Sequence, residues 1–350
     1  MKNAAYISIV AITVVIALVY GQSLIVPFIL GILMWFLMHS LKRLLDKIPF
    51  VKQYVPSWVK TLMSSGIIVF LVVVLFQVLS NNIKELTYSY QKYESNVGSV
   101  ILSINEMFNI NVVESVKEQI GDFNFGAMLQ MVFNSISYLI GNTFMIIIYA
   151  LFILLEESNF GIKLKALFTS NEGYNNFVNI LGDIDNSIAE YFKLKAIVSL
   201  MTGVLSFIVL WLIGVDSPVF WAFLIFILNF IPTIGSLIGT VFPAAFALLQ
   251  FGDIYHFLLV IGLVGAVQLL VGNIIEPRLM GSTMNISPLV TILALSFWGA
   301  IWGVVGMILS VPITVIMILV FSRFEKTRPI AVLLSEKGKV NLKKVESCDA

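Results

Sequence analysis

Charge is what this sequence has least of. Asp, Glu, Lys and Arg together make up 12% of its 350 residues, where a soluble domain carries about 25%. A soluble chain this poor in charge could not solvate its own surface. Cysteine is nearly absent. Cys348, in the polar tail, is the single one, which excludes a disulfide framework and a cysteine-based metal site. His39 and His256 are the only histidines, and each stands at the edge of an apolar run, an ordinary place for an interfacial imidazole. There is no G-x-x-x-x-G-K-[ST] phosphate loop, no G-x-S-x-G and no H-E-x-x-H. The chain is therefore not expected to hydrolyse ATP by the phosphate-loop route or to be one of the commonest hydrolases. With no catalytic constellation the expectation is a protein that is not an enzyme and needs no cofactor. A net charge of +1 with no basic stripe gives no sign of a nucleic-acid partner.

What is present is apolar and comes in long runs. Hydrophobic residues make up 59% of the chain. No charge occurs from Ala4 to Tyr20, Gly66 to Ser80, Phe133 to Leu155, Ala196 to Val215, Ser217 to Phe251 or Ser282 to Ser322. Apolar runs of about 18 or more residues read as membrane-spanning helices. Only helices and closed barrels satisfy every backbone group in hydrocarbon, and these runs do not alternate apolar with polar. The sequence thus predicts an all-α polytopic membrane protein. It has about eight to ten membrane helical segments at the usual span length, re-entrant or broken helices included. Met1-Lys2 before an apolar stretch resembles a signal peptide. No small-x-small cleavage site follows and a second apolar stretch begins at Leu24, so the first helix is expected to be retained.

Lysine and arginine in short loops set the orientation. Lys42, Arg43, Lys47, Lys52 and Lys60 fall between the second and third spans, which puts that loop, and the N-terminus one hairpin away, in the cytoplasm. Arg323, Lys326 and Arg328 put the C-terminus there too. The expected plan has membrane helices with a cytoplasmic basic loop over 1–79 and an extracytoplasmic helical insert over 80–131. A membrane helix over 132–155 and a cytoplasmic amphipathic segment over 156–195 follow. A transport bundle over 196–322 and a cytoplasmic tail over 323–350 complete it. The insert carries an apolar stripe at 3-4 spacing through Ile83, Leu86, Tyr90, Tyr93, Val97, Val100, Ile104 and Met107. Phe177, Leu181, Ile184, Ile188 and Tyr191 form a second. Each stripe is a helix face that must pack within the subunit, on a neighbouring subunit or on the membrane surface.

Two interruptions mark the C-terminal half. Asn229-Phe230-Ile231-Pro232-Thr233-Ile234-Gly235-Ser236 lies inside an otherwise apolar stretch. Gly272-Asn273-Ile274-Ile275-Glu276-Pro277-Arg278-Leu279-Met280-Gly281 repeats the order Asn, Pro, Gly with wider spacing. Proline removes a backbone donor, and such a break at membrane depth is tolerated only in protein or beside a watery cavity. Paired Gly/Pro breaks are the best sequence pointer to a transporter's binding site. Asn229, Pro232, Thr233, Gly235, Asn273, Glu276, Pro277, Arg278 and Gly281 are therefore the candidate substrate or ion path. Two ordinary loops at the membrane edge are the plainer alternative. Gly235 with Gly239, and Gly299 with Gly303, are G-x-x-x-G pairs that serve close helix packing.

At these residues the chain resembles the autoinducer-2 exporter family of bacterial membrane proteins. The resemblance lies in Phe230–Ser236, Asn273–Gly281 and Ser287-Pro288-Leu289-Val290, and continues through Gly299, Gly303, Gly306 and Pro312. It covers nearly the whole chain to about Ser322. One departure is Tyr191-Phe192-Lys193-Leu194-Lys195, where members usually carry a glycine near Leu194. The resemblance implies a transporter without an ATPase subunit, in a bacterial cytoplasmic membrane, and a homo-oligomer. Members are associated with export of the signal autoinducer-2, others with sodium–proton antiport, and some with sporulation. The expected function is a secondary transporter or exporter, moving a small solute or an ion by alternating access, with Na+ or H+ as coupling ions and membrane lipid around it. A sodium/proton antiporter, or a scaffold or assembly factor that transports nothing, is the alternative.

Overall fold

The computed structural model describes residues 2–93, 96, 125–168, 170–280, 285–336 and 338. The helices, in chain order, are α1 (Lys2–Tyr20), α2 (Gln22–Leu45), α3 (Pro49–Tyr54) and α4 (Ser57–Tyr93), then α5 (Phe125–Leu167) and α6 (Asn171–Ile213). They continue as α7 (Pro218–Leu228), α8 (Ile234–Phe251), α9 (Ile254–Leu270), a π-turn (Val271–Ile275) and α10 (Glu276–Met280), and end with α11 (Pro288–Ser322) and α12 (Arg328–Leu334). Among the described residues the one extended pairing is an isolated antiparallel bridge between Ile286 and Ser335.

Six helical stretches are long and apolar enough to cross a membrane: Gln22–Leu45, Ser57–Val74, Asn171–Ile213, Ile234–Phe251, Ile254–Met280 and Pro288–Ser322. A further pair, Gly141–Glu157 and Asn159–Leu167, meets at a 65° bend, and Pro218–Leu228 is a shorter apolar helix. Helices of this length satisfy their own backbone groups and span the roughly 30 Å hydrocarbon core. The chain is thus a multi-pass, all-α membrane protein, with broken and folded-back helices among its spans.

The chain divides into two compact units. One comprises Met1–Ser40, Met145–Leu194 and Met280–Ala350. In it α2 meets α5 closely, since a Cβ on Gly31 would lie 2.7 Å from Tyr149 Cβ. Trp35 Nε1 donates to Glu157 at 2.9 Å, and Trp302 Nε1 donates to the Leu18 carbonyl at 3.1 Å. Tyr191, the last residue of the second apolar stripe, is buried with Met280, Ile286, Val311, Val315, Ile318 and Ala331. Arg323 pairs with Asp183.

The long helix α11 is folded back on itself. Gly303 has φ +60° and ψ −140°, a conformation open essentially to glycine alone. A Cβ on Gly306 would lie 1.9 Å from the Trp298 carbonyl oxygen, yet eight residues of straight helix rise about 12 Å. The two pieces expected from sequence, Pro288–Ile301 and Gly303–Phe321, are therefore the arms of a hairpin.

The other unit comprises Leu41–Phe144 and Lys195–Leu279. Its centre is α7, α8, α9 and the part of α6 from Lys195 onward. Trp221 and Phe246 are fully buried with ring centroids 5.2 Å apart. Asp253 caps α9, its carboxylate accepting from the His256 backbone N–H at 2.9 Å, which satisfies one of the donors orphaned at a helix start. Lys60, nearly buried, pairs with Asp46 at 2.6 Å. Most side chains of the expected insert, including the stripe from Ile83 to Met107, lie outside the described residues.

Candidate functional site

The α6 segment beyond Lys195 has two chemically different sides. Leu200, Leu205, Ile208 and Leu212 are exposed, as lipid-facing positions should be. Lys195, Ser199, Thr202 and Ser206 are buried, between 0% and 4% exposed. Their spacings of four, three and four residues keep them within roughly 60° of arc while they climb roughly 16 Å along the axis. A membrane helix that turns a lysine and three hydroxyls inward is aiming them at protein or at a polar path, since lipid would leave them unsolvated.

The first break meets this face. Between α7 and α8 the chain turns within five residues. The Ile234 N–H donates to the Pro232 carbonyl at 2.6 Å, two residues back. Thr233 between them has φ +61° and ψ −56°, which is the strained form of the γ-turn. A β-branched residue there is a true outlier, with a strain of about 1–3 kcal/mol. Gly235 is forced by contact: a Cβ would sit 1.7 Å from the Leu228 carbonyl oxygen. The turn leaves Asn229 buried, and its Nδ2 donates to Ser199 Oγ at 3.1 Å.

The second break reaches the same face by another route. The sequence predicts an interruption, but the structure keeps Ile254–Met280 helical. The disturbance is absorbed by the π-turn, where the Glu276 N–H reaches back five residues to the Val271 carbonyl. Pro277 follows at the second position of α10, inside its first turn, where a missing N–H is tolerated. An i→i+5 turn takes up one residue more than an α-turn, and that changes which side chain faces inward. Val260, Val264, Gln268 and Val271 are buried on α9 and its continuation. In uninterrupted helix Ile275 would come next at this spacing; after the π-turn it is Glu276. Its Oε1 accepts from Lys195 Nζ at 2.5 Å, with side-chain exposures of 20% and 6%. Such π-turns recur at functional sites.

Both breaks thus dock on α6, at residues one turn apart. Of the path expected from sequence, Asn229 and Glu276 are held there. Pro232 and Gly235 build the first turn around Thr233, which is itself exposed. Asn273, Pro277 and Arg278 are exposed, and Gly281 lies outside the described residues. Sequence reasoning missed Lys195, Ser199, Thr202 and Ser206, although the signal was present as polar residues at 4-3-4 spacing inside an apolar span. It also missed Gln268, whose Nε2 would lie 3.3 Å from a Cβ on Gly239.

The electrostatics are simple. One buried positive and one half-buried negative charge cancel, and removing either partner alone should cost about 3–5 kcal/mol. Around them the polarity is neutral. Among the described residues, Ser206 Oγ, Ser217 Oγ, Trp221 Nε1 and Gln268 Nε2 are buried without a protein hydrogen-bond partner. A buried polar atom left so costs about 1–3 kcal/mol. All four belong to this one unit. The described residues hold no cluster of metal-ligating side chains.

Comparison with known proteins decides the class. The model of the AI-2E family transporters matches residues 6–326. The chain belongs to the AI-2E transporter family. Membership makes it a multi-pass membrane transporter, and the match takes in α6 and both breaks. It is 30% identical to the AI-2 transport protein TqsA of Escherichia coli K12, across 91% of this chain and 92% of that protein. It is 28% identical to a protein of Haemophilus influenzae described provisionally as a transport protein, across 94% and 95%. A third relative, from Borreliella burgdorferi and described in the same provisional terms, is 34% identical over 61% of this chain and 60% of its own length.

Proposed function

We infer that the chain is a secondary transporter that moves a small solute or ion across the bacterial cytoplasmic membrane through the bundle formed by Lys195–Leu279. The observation that carries this reading is the meeting of both breaks on the inward polar face of α6, through Asn229–Ser199 and Glu276–Lys195. Paired helix breaks beside buried polar groups are how transporters hold a substrate at membrane depth. The lack of a phosphate loop in the sequence favours a gradient over ATP as the driving force. A solute resembling the signal for which TqsA is named is the first candidate. Alternating access is the mechanism, with the strained turn at Thr233 and the π-turn as the elements that rearrange. Both termini lie in the cytoplasm, the protein works as a homo-oligomer in lipid, and Asn273, Pro277, Arg278 and Gly281 extend the path from the second break.

Sodium–proton antiport is the second reading, favoured by the Glu276 carboxylate, the one held on the path among the described residues. Purified protein in liposomes, screened against solutes with and without imposed sodium and proton gradients, tests both. Solute flux that follows a gradient supports the first reading, and cation exchange without solute supports the second. No flux of either kind would leave the scaffold alternative and overturn both.

A further inference from the structure

We propose that Lys195 is a tethered cation, its ammonium group filling a monovalent-cation site that Glu276 and the π-turn create. Three observations lead there. First, the carboxylate that meets Lys195 comes directly after the π-turn, whose extra residue changes which side chain follows the buried row of Val260, Val264, Gln268 and Val271. Second, the turn lacks one backbone donor. The Glu276 N–H is taken by the Val271 carbonyl. Pro277, next in line, has no N–H for the carbonyl of Gly272, which would be its partner at the same spacing. Carboxylate and carbonyl oxygens are what hard cations take as ligands. Third, the group that neutralises the carboxylate comes from a different helix, 81 residues earlier in the chain, and approaches to 2.5 Å. It is buried to 6% exposure of its side chain.

A site that needs one positive charge and carries its own should have no use for a dissolved ion. In this chain the Glu276 site is therefore closed to alkali cations while Lys195 occupies it, and it opens to them when the lysine side chain is shortened. The idea deepens the transport reading and draws its significance from it, since it would exclude the Glu276 site as a sodium coupling site.

The test is the melting temperature of the protein in detergent and in unpurified membranes. Salts are lithium, sodium, potassium, methylammonium or choline chloride at equal ionic strength. Lys195→Ala is expected to melt below the native chain and to recover as the logarithm of alkali-cation or methylammonium concentration, with no recovery in choline. The native chain and the double variant Lys195→Ala/Glu276→Gln are expected to respond equally to all five salts. Lys195→Gln, which keeps part of the stem and a hydrogen-bond donor, carries the same expectation as Lys195→Ala. The membrane assay reads any variant too unstable to purify. Equal melting of both single variants in every salt would make the pair merely structural and overturn the proposal. So would a native chain that sodium stabilises as much as it does the variants. The assay needs no flux. A cation response with no transport by any form of the protein would overturn the transport reading alone, and intact transport with no cation response would overturn the tethered cation alone.

Discussion

Ser199 accepts a hydrogen bond from Asn229 at 3.1 Å, and one helical turn away on α6 Lys195 donates to Glu276 at 2.5 Å. Two polar interruptions that lie more than 40 residues apart in sequence are thereby held at neighbouring levels of one helix face.

The pair at Lys195 and Glu276 should behave as a unit. Glu276→Gln leaves an ammonium group buried without its partner and should destabilise by about 3–5 kcal/mol, with solute flux strongly reduced. Lys195→Met/Glu276→Gln removes both charges and should recover most of the stability but none of the flux. Melting temperatures and reconstituted transport, measured on the native chain, Glu276→Gln, Lys195→Met and the double variant, check this. Additive losses in the double variant would mean that the two side chains do not interact.

Thr233 strains the first turn. Thr233→Gly places at φ +61° the residue that tolerates it, and is expected to raise stability by about 1 kcal/mol. Flux is expected to fall, because relief of strain should favour one arrangement of the turn. A variant that melts below the native chain would show that the threonine side chain, not backbone strain, decides stability there.

Three glycines should respond in opposite directions. Gly235→Ala and Gly306→Ala each drive a Cβ into a backbone oxygen, of Leu228 and Trp298 respectively. Both should lower the yield of folded protein and the melting temperature by several degrees. Gly262, within α9, has open space where a methyl group would go. Gly262→Ala should be neutral or stabilising by up to about 1 kcal/mol. Thermal melts of the three side by side give the answer.

Orientation can be read by thiol labelling. Cys348→Ser removes the native thiol, and single cysteines then replace Lys52 and Asn96. The basic loop should be cytoplasmic, so an impermeant reagent on intact cells is expected to label the second site alone. Labelling at position 52 in sealed cells would reverse the orientation.

The cap of α9 gives a dependence on pH. Burial pushes the Asp253 carboxyl upward, but the backbone N–H and imidazole of His256, with the coulombic attraction of that imidazole, outweigh it and hold the carboxyl below its ordinary value. A depressed carboxylate contributes stability that is fully present above the unfolded value, near 3.9, and is lost as pH falls through the lower folded value. Asp253→Ala should therefore cost about 1 kcal/mol at neutral pH and progressively less in acid. Melts of both proteins between neutral pH and pH 3 should converge, and a constant gap would assign the effect to packing.

What the sequence determined by itself is the class of molecule and the places where its helices are disturbed. Long runs without charge leave a helix crossing hydrocarbon as the available solution, and Asn229–Ser236, Asn273–Gly281 and Gly303 are visible as Gly and Pro inside or beside those runs because local backbone chemistry is written locally. What each disturbance becomes was decided only in three dimensions. Pro232 with Gly235 gives a reversal, since Gly235 lets α8 lie against the Leu228 carbonyl. Pro277 gives a π-turn in a helix that continues, since the turn brings Glu276 round to a buried ammonium group. That ammonium group belongs to Lys195, which in sequence is the last residue of a polar segment and in the structure is the first of a buried polar face. Sequence spacing shows which residues share a side of one helix; which helix that side meets depends on packing between segments far apart in the chain.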